Sequence, residues 1–212
     1  MGLNTNTAHL RIGVYGGAFD PPHLAHRALA EVALNALQLD LLYLVPTGQA
    51  WHKARPLTPA VHRLAMTRLA FQGLPNIQID ERELNHPGPS YTVNTLAALR
   101  STHEGADFFV VMGADQAAKF STWRDWEQIA QWAQLAIADR PLDGLSESTL
   151  GEWHNPPHTR TVRLHMPLMP ISATEIRQQL QNASASELAL SPSVTQYIQQ
   201  HHLYTDQHDR SL

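Results

Sequence analysis

The chain has 212 residues, a formal net charge of -4, 43% apolar residues and 16% charged ones, a composition that excludes a disordered chain and allows an α/β domain a sizeable core. That charge balance supplies no broad basic surface of the kind that grips a nucleic-acid backbone. With no cysteine in the chain, disulfides, thiolate chemistry and cysteine-ligated zinc are excluded.

The first predicted element is a strand at Leu10–Val14, which alternates apolar with other residues and runs into Gly16 and Gly17. From Leu24 to Leu39, apolar residues recur at helical spacing (Leu24, Ala28, Leu29, Val32, Ala33, Ala36, Leu37). Leu41–Val45 reads as a buried strand stopped by Pro46, and Pro59–Phe71 as a helix carrying Val61, Leu64, Ala65, Arg68 and Leu69. A short strand follows at Ile77–Ile79, then a helix at Tyr91–Arg100, then the continuous apolar run Phe108–Met112, bounded by Gly113. Helix-like residues at Trp126–Trp132 precede a strand at Leu135–Ala138, a loop containing proline and glycine (Pro141–Pro157) and a strand at Thr161–His165. Ser172 has the capping-box spacing that starts a helix, and Ser191-Pro192 opens a last one ending near His201.

Regular alternation of strands and helices predicts an α/β fold: a doubly wound, mostly parallel, Rossmann-like sheet. A single domain over residues 1–212 is expected, with its core at about 10–204. The apolar runs are too short to span a bilayer and the amino terminus lacks a basic-then-apolar leader pattern, so the expected location is cytoplasmic.

In open α/β sheets, ligands bind beyond the carboxyl ends of strands, where helix amino termini aim N–H groups outward. The loop after the first strand runs Gly16-Gly17-Ala18-Phe19-Asp20-Pro21-Pro22-His23-Leu24-Ala25-His26. It has neither the Gly-x-Gly-x-x-Gly of a dinucleotide-binding dehydrogenase nor the Gly-Lys-Ser of a P-loop. Its glycines let the backbone approach a ligand closely, and His23 and His26 share one face at a helix start, placed to grip one phosphate. Read on residues alone, the same pair also fits a helix cap, or two ligands of a zinc ion for which no third ligand stands nearby.

The run Gly17-x-Phe19-x-Pro21-x-His23-x-x-His26 resembles the signature of the nucleotidyltransferase superfamily that includes nicotinate-nucleotide and pantetheine-phosphate adenylyltransferases. Histidine rather than threonine at position 23 points to its nicotinate and nicotinamide branch. The resemblance implies that Gly16, Gly17, Ala18 and Phe19 lie against ATP. It further implies that His23 and His26 contact ATP phosphates and stabilise charge as the 5′-phosphate of a mononucleotide attacks the α-phosphorus. No covalent intermediate is then needed, and Mg2+ bridges ATP oxygens. Ala25 stands where the pattern commonly has glycine.

Three further segments are similar to the same family. Gly113-Ala114-Asp115 with Phe120-x-x-Trp123 resembles its Gly-x-Asp and Phe-x-x-Trp stretch; Asp115 would then bond a ribose hydroxyl and Trp123 stack on a pyridine ring. Ile171-Ser172-x-Thr174-x-x-Arg177 resembles its Ile-Ser-x-Thr-x-x-Arg motif, with Ser172, Thr174 and the helix amino terminus on ATP phosphates and Arg177 reaching the β and γ groups. Ser90-Tyr91-Thr92-x-Asn94-Thr95-Leu96 resembles a Ser-Tyr-Thr-x-Asp-Thr-Leu stretch whose N–H groups, here near Tyr91 and Thr92, receive a pyridine carboxylate; Asn94 replaces the usual acid. His52-Lys53 resembles a Pro-Pro-His-Lys loop, with Trp51 at a proline position and Lys53 as a further cation for the triphosphate.

Taken together, the resemblance implies adenylyl transfer from ATP to nicotinate mononucleotide, giving nicotinate adenine dinucleotide (deamido-NAD) and pyrophosphate, a late step of NAD biosynthesis. The implied partners are those two small molecules, without nucleic acid or membrane. Two other readings stay open: transfer to nicotinamide mononucleotide, and a catalytically silent nucleotide-binding module on the same fold.

Overall fold

The computed structural model describes residues 9–49, 56–139, 156, 158–167, 169–182 and 189–205. In chain order the elements are β1 (Arg11–Gly17), α1 (Leu24–Ala36), β2 (Leu41–Pro46), α2 (Ala60–Ala70), β3 (Ile77–Ile79), α3 (Arg82–Asn85), α4 (Thr92–Thr102), β4 (Asp107–Gly113), α5 (Ala114–Ala117), a 3₁₀ turn (Phe120–Thr122), α6 (Trp126–Trp132), β5 (Ala133–Asp139), β6 (Thr161–His165), α7 (Ala173–Gln181) and α8 (Pro192–Gln200). The six strands form one sheet in the order β3-β2-β1-β4-β5-β6, and every pairing is parallel. The expected doubly wound sheet is therefore present, and wholly parallel.

β1 pairs with β2 on one side and β4 on the other. Chain order thus reverses between β1 and β4, which opens a crevice beyond their carboxyl ends. Apolar packing follows from strand alternation: Phe109 and Val111 face a cluster with α1 and α8 (Leu29, Ala33, Val194, Ile198). Phe108, Val110 and Met112 face the opposite cluster with α4 and α6 (Leu96, Leu99, Ile129). A central strand covered on both faces needs apolar residues at every position, hence the unbroken run, and each such side chain contributes roughly 1.5–3 kcal/mol on burial. Gly13 admits that packing, since a Cβ there would lie 2.6 Å from the Cδ1 atoms of both Leu39 and Leu42.

β1 extends to Gly17 rather than ending at Val14, because parallel pairing with β2 continues to the Gly17–Pro46 position. α1 stops at Ala36, short of Leu39, with Leu37 as C-cap and Gln38 in the left-handed region at φ 48°. The face expected for α2 is corrected: Val61 is 66% exposed, while Arg63, Met66, Thr67 and Ala70 are buried. Trp123 and Trp126 do not share a helix. Trp123 is extended after the 3₁₀ turn, and Asp125, left-handed at φ 51°, restarts the chain as α6. α3, α5 and the 3₁₀ turn span at most four residues each, too short for periodicity to reveal. Trp51, His52 and Lys53, with most of the loop over 140–157, lie outside the described residues. Among the described residues no helix is long and apolar enough to cross a membrane.

Candidate active site

The carboxyl ends of β1, β2 and β4 open into a cleft of ≈ 650 Å³. On the β1 side it is lined by Gly16, Gly17, Ala18, Phe19, His23 and His26. Gly113 and Asp115 enter at the end of β4, Ser172 and Arg177 from α7, and Tyr91, Thr92 and Trp123 from the far wall. Thr174 is not among the lining residues; its hydroxyl accepts a bond from Arg177 Nη2 at 3.0 Å.

His23 is the N-cap of α1 and His26 its third residue. The backbone N–H of His23 donates to His26 Nδ1 at 3.1 Å, and the two rings stack with centroids 3.7 Å apart. An imidazole accepting at Nδ1 carries its neutral-form proton on Nε2. The pair therefore caps the helix and lines the cleft at the same time. Phe19 has a left-handed backbone, φ 47°, which costs an L-residue about 1–2 kcal/mol. Its ring offsets that by lying 1% exposed, edge-on to Tyr15, His26 and Phe71. Gly17 makes room, since a Cβ there would meet the Phe19 ring at 3.0 Å. Gly16 and Gly113 open onto free space instead, the nearest atom to a Cβ being Val45 O at 4.0 Å for Gly16 and nothing within 4 Å for Gly113.

A buried polar network behind this loop had no sign in the local sequence pattern. Asp20 is 2% exposed; its carboxylate accepts Tyr204 O–H at 2.7 Å and Thr58 N–H at 3.4 Å. Its carbonyl accepts Arg177 Nη1 at 2.7 Å, which ties α7 to the loop after β1. Arg63, also 2% exposed, donates to the carbonyls of Thr58 (2.8 Å), Ala18 (2.9 Å) and Gly48 (3.4 Å). Burial lowers the Arg63 pKa, and the nearby Asp20 carboxylate and Tyr204 oppose that shift. This commitment explains why an arginine occupies the inner face of α2.

On the far wall, Thr92 begins α4 with Tyr91 as N-cap, so their N–H groups belong to the set that a helix cannot pair internally. The Arg124 guanidinium lies 4.8 Å from the centroid of the Tyr91 ring, and half-buried Trp123 stands against Phe120 at 5.6 Å. Asn94 is exposed and is not among the lining residues, so its departure from the family pattern leaves the cleft wall unchanged. Ala25, another departure, does line the cleft.

The parallel sheet, with its cleft at the β1–β4 switch point, is an α/β nucleotidyltransferase fold, as the similarity to known proteins shows. A family model described as cytidylyltransferase-like matches residues 14–179, a span holding all the motifs above. The chain is 47% identical over 197 residues to the probable nicotinate-nucleotide adenylyltransferase of Albidiferax ferrireducens, covering 92% of this chain and 98% of that one. Two solved structures of the Plasmodium falciparum nicotinic acid mononucleotide adenylyltransferase, one complexed with APC and one with NaAD, share the fold at TM-scores of 0.73 and 0.72. Both are 21% identical to this chain and cover 92% of it and 98% of their own length. The chain belongs to the cytidylyltransferase-like family and, within it, to the nicotinate-nucleotide adenylyltransferases.

Proposed function

We propose that the protein transfers the adenylyl group of ATP to nicotinate mononucleotide, forming nicotinate adenine dinucleotide and pyrophosphate in the synthesis of NAD. The observation that carries this reading is the two-sided cleft: the His23–His26 pair and Arg177 stand on one side, and the α4 amino terminus and Trp123 on the other. The 47% identity with a nicotinate-nucleotide relative supports the acid as substrate.

In this reading ATP lies along Gly16, Gly17 and Ala18, with Gly113 and Asp115 at its ribose. Its phosphates meet His23, His26, Ser172 and Arg177, and Lys53 adds a further cation. The mononucleotide places its ring on Trp123 and its carboxylate at the Tyr91 and Thr92 N–H groups. A 5′-phosphate oxygen of the mononucleotide attacks the α-phosphorus, a new P–O bond forms, the bond to the bridging oxygen breaks, and pyrophosphate leaves with the electron pair. Catalysis is then positioning plus stabilisation of charge by N–H donors fixed beforehand. Thr174 acts by holding Arg177.

Mg2+ enters this reading as the ATP complex, where it would neutralise phosphate charge. Among the described residues no three histidine, aspartate or glutamate side chains group as a metal cage, and the phosphate oxygens would be its principal ligands. The cysteine-free composition fits a reducing compartment, and the cytoplasm is part of the same proposal. The direct test is to incubate the protein with ATP, magnesium and nicotinate mononucleotide and identify the product by mass: the dinucleotide is expected, and recovery of unchanged mononucleotide would refute the activity.

A further inference from the structure

Asp80 follows β3 and pins the next turn, its carboxylate accepting the Arg82 backbone N–H at 3.0 Å and the Arg82 Nε–H at 2.7 Å. α3 therefore starts in a fixed position, and it places Glu83 on the wall of the cleft. The Glu83 carboxylate accepts the Thr95 hydroxyl at 2.8 Å, and the nearby Ser90 side chain favours its charged form. Ser90 Oγ in turn accepts the Gly48 N–H at 3.1 Å. Gly48 packs so closely against this turn that a Cβ there would lie 2.0 Å from the Glu83 carbonyl oxygen. The loop after β2 and the loop before α4 also meet directly, through the Gln49–Pro89 bridge.

The Glu83 turn thus touches three segments of chain: the loop after β2 at Gly48, the loop entering α4 at Ser90 and the first turn of α4 at Thr95. The two hydroxyls beside it, the bonded Thr95 and the nearby Ser90, bracket Tyr91 and Thr92, whose N–H groups face the mononucleotide in the function proposed above. From this geometry we infer that Glu83 is a positioning residue for the mononucleotide, acting through Ser90 and Thr95 to fix the Tyr91–Thr92 backbone. Burial pushes the Glu83 carboxyl up from its ordinary range and Asp80 adds to the shift, while the Thr95 and Ser90 hydroxyls and the Arg82 charge oppose it. Holding a carboxylate there works against stability, and such groups concentrate where geometry serves a site.

The inference rests on the proposed substrate, and the experiment separates the two. Steady-state kinetics of the full chain with ATP and nicotinate mononucleotide would compare the parent with Glu83→Ala, Glu83→Gln, Ser90→Ala and the Glu83→Ala/Ser90→Ala double variant. Glu83→Ala is expected to raise KM for the mononucleotide about tenfold, with KM for ATP changed by less than about twofold. Glu83→Gln, which keeps an acceptor oxygen, should recover most of the loss. The double variant should be no worse than Glu83→Ala alone, because both act through one path. Unchanged KM values, or equal rises in both, would overturn the role of Glu83. Should Glu83→Ala fail to fold, Ser90→Ala carries the same test: a rise confined to the mononucleotide supports the relay, and no rise or equal rises refute it. A parent that forms no dinucleotide would overturn the proposed substrate itself, whereas an active parent with unaffected variants would overturn the relay alone.

Discussion

His26 Nδ1 accepts the backbone N–H of His23 at 3.1 Å, which leaves Nε2 as the proton-bearing nitrogen of a neutral ring. Capping and the proposed phosphate contact are therefore separable, because the side-chain oxygen of asparagine sits where Nδ1 does and asparagine has nothing in place of Nε2. His26→Asn is expected to melt near the parent temperature while kcat falls about 100-fold or more, the scale for losing one donor to a transition-state oxyanion. Circular-dichroism melting and pyrophosphate release measure the two effects, and near-normal turnover would remove His26 from the chemistry.

Trp123 is half-buried on the far wall, with Phe120 behind it at 5.6 Å. Trp123→Ala is expected to raise KM for the mononucleotide by about tenfold, in line with the strength of a single aromatic stack on a base. KM for ATP should move much less. Initial rates with each substrate varied in turn give both constants, and an equal effect on the two would contradict stacking.

Much of this arrangement was legible in the chain. The glycine-to-histidine loop after the first strand announced one wall of the cleft, and the unbroken run Phe108–Met112 announced a central strand. The polar partners behind the cleft were not. Tyr204 reaches Asp20 across 184 positions, and nothing near Asp20 in sequence marks it as buried. Glu83 closes a run of four residues, Asp80 to Glu83, of which all are charged, and such a run reads as a solvated turn. Val61 fits an apolar face of α2 by spacing, but the three carbonyl contacts of Arg63 decide which face turns inward.

The Asp20–Tyr204 bond links the loop after β1 to the chain beyond α8 at 2.7 Å. Tyr204→Phe removes a hydroxyl donor to a buried carboxylate and is expected to cost about 1.5–3 kcal/mol, the range for bonds to charged groups. Arg63→Met leaves the buried carbonyls of Thr58, Ala18 and Gly48 without their donor and should cost about 3 kcal/mol or more. Urea unfolding reads both, and a loss under about 0.5 kcal/mol for either variant would show that the network contributes little to the fold.

Glu83 sets a pH dependence with a definite sign. Its folded pKa is raised, so its contribution to stability is complete below the unfolded glutamate value of about 4.3 and is lost as pH rises through the folded value. Glu83→Gln is neutral throughout, so the melting temperature of the variant should gain on that of the parent as pH rises above about 4. Parallel curves for the two proteins across that range would contradict a raised pKa.

The most direct measurement is pyrophosphate release with ATP and magnesium against nicotinate mononucleotide and nicotinamide mononucleotide, compared as kcat/KM. Wild-type protein is expected to prefer the acid by about tenfold or more, since the Tyr91 and Thr92 N–H groups at the start of α4 favour an anion. Equal or greater kcat/KM for the amide would contradict the proposed substrate.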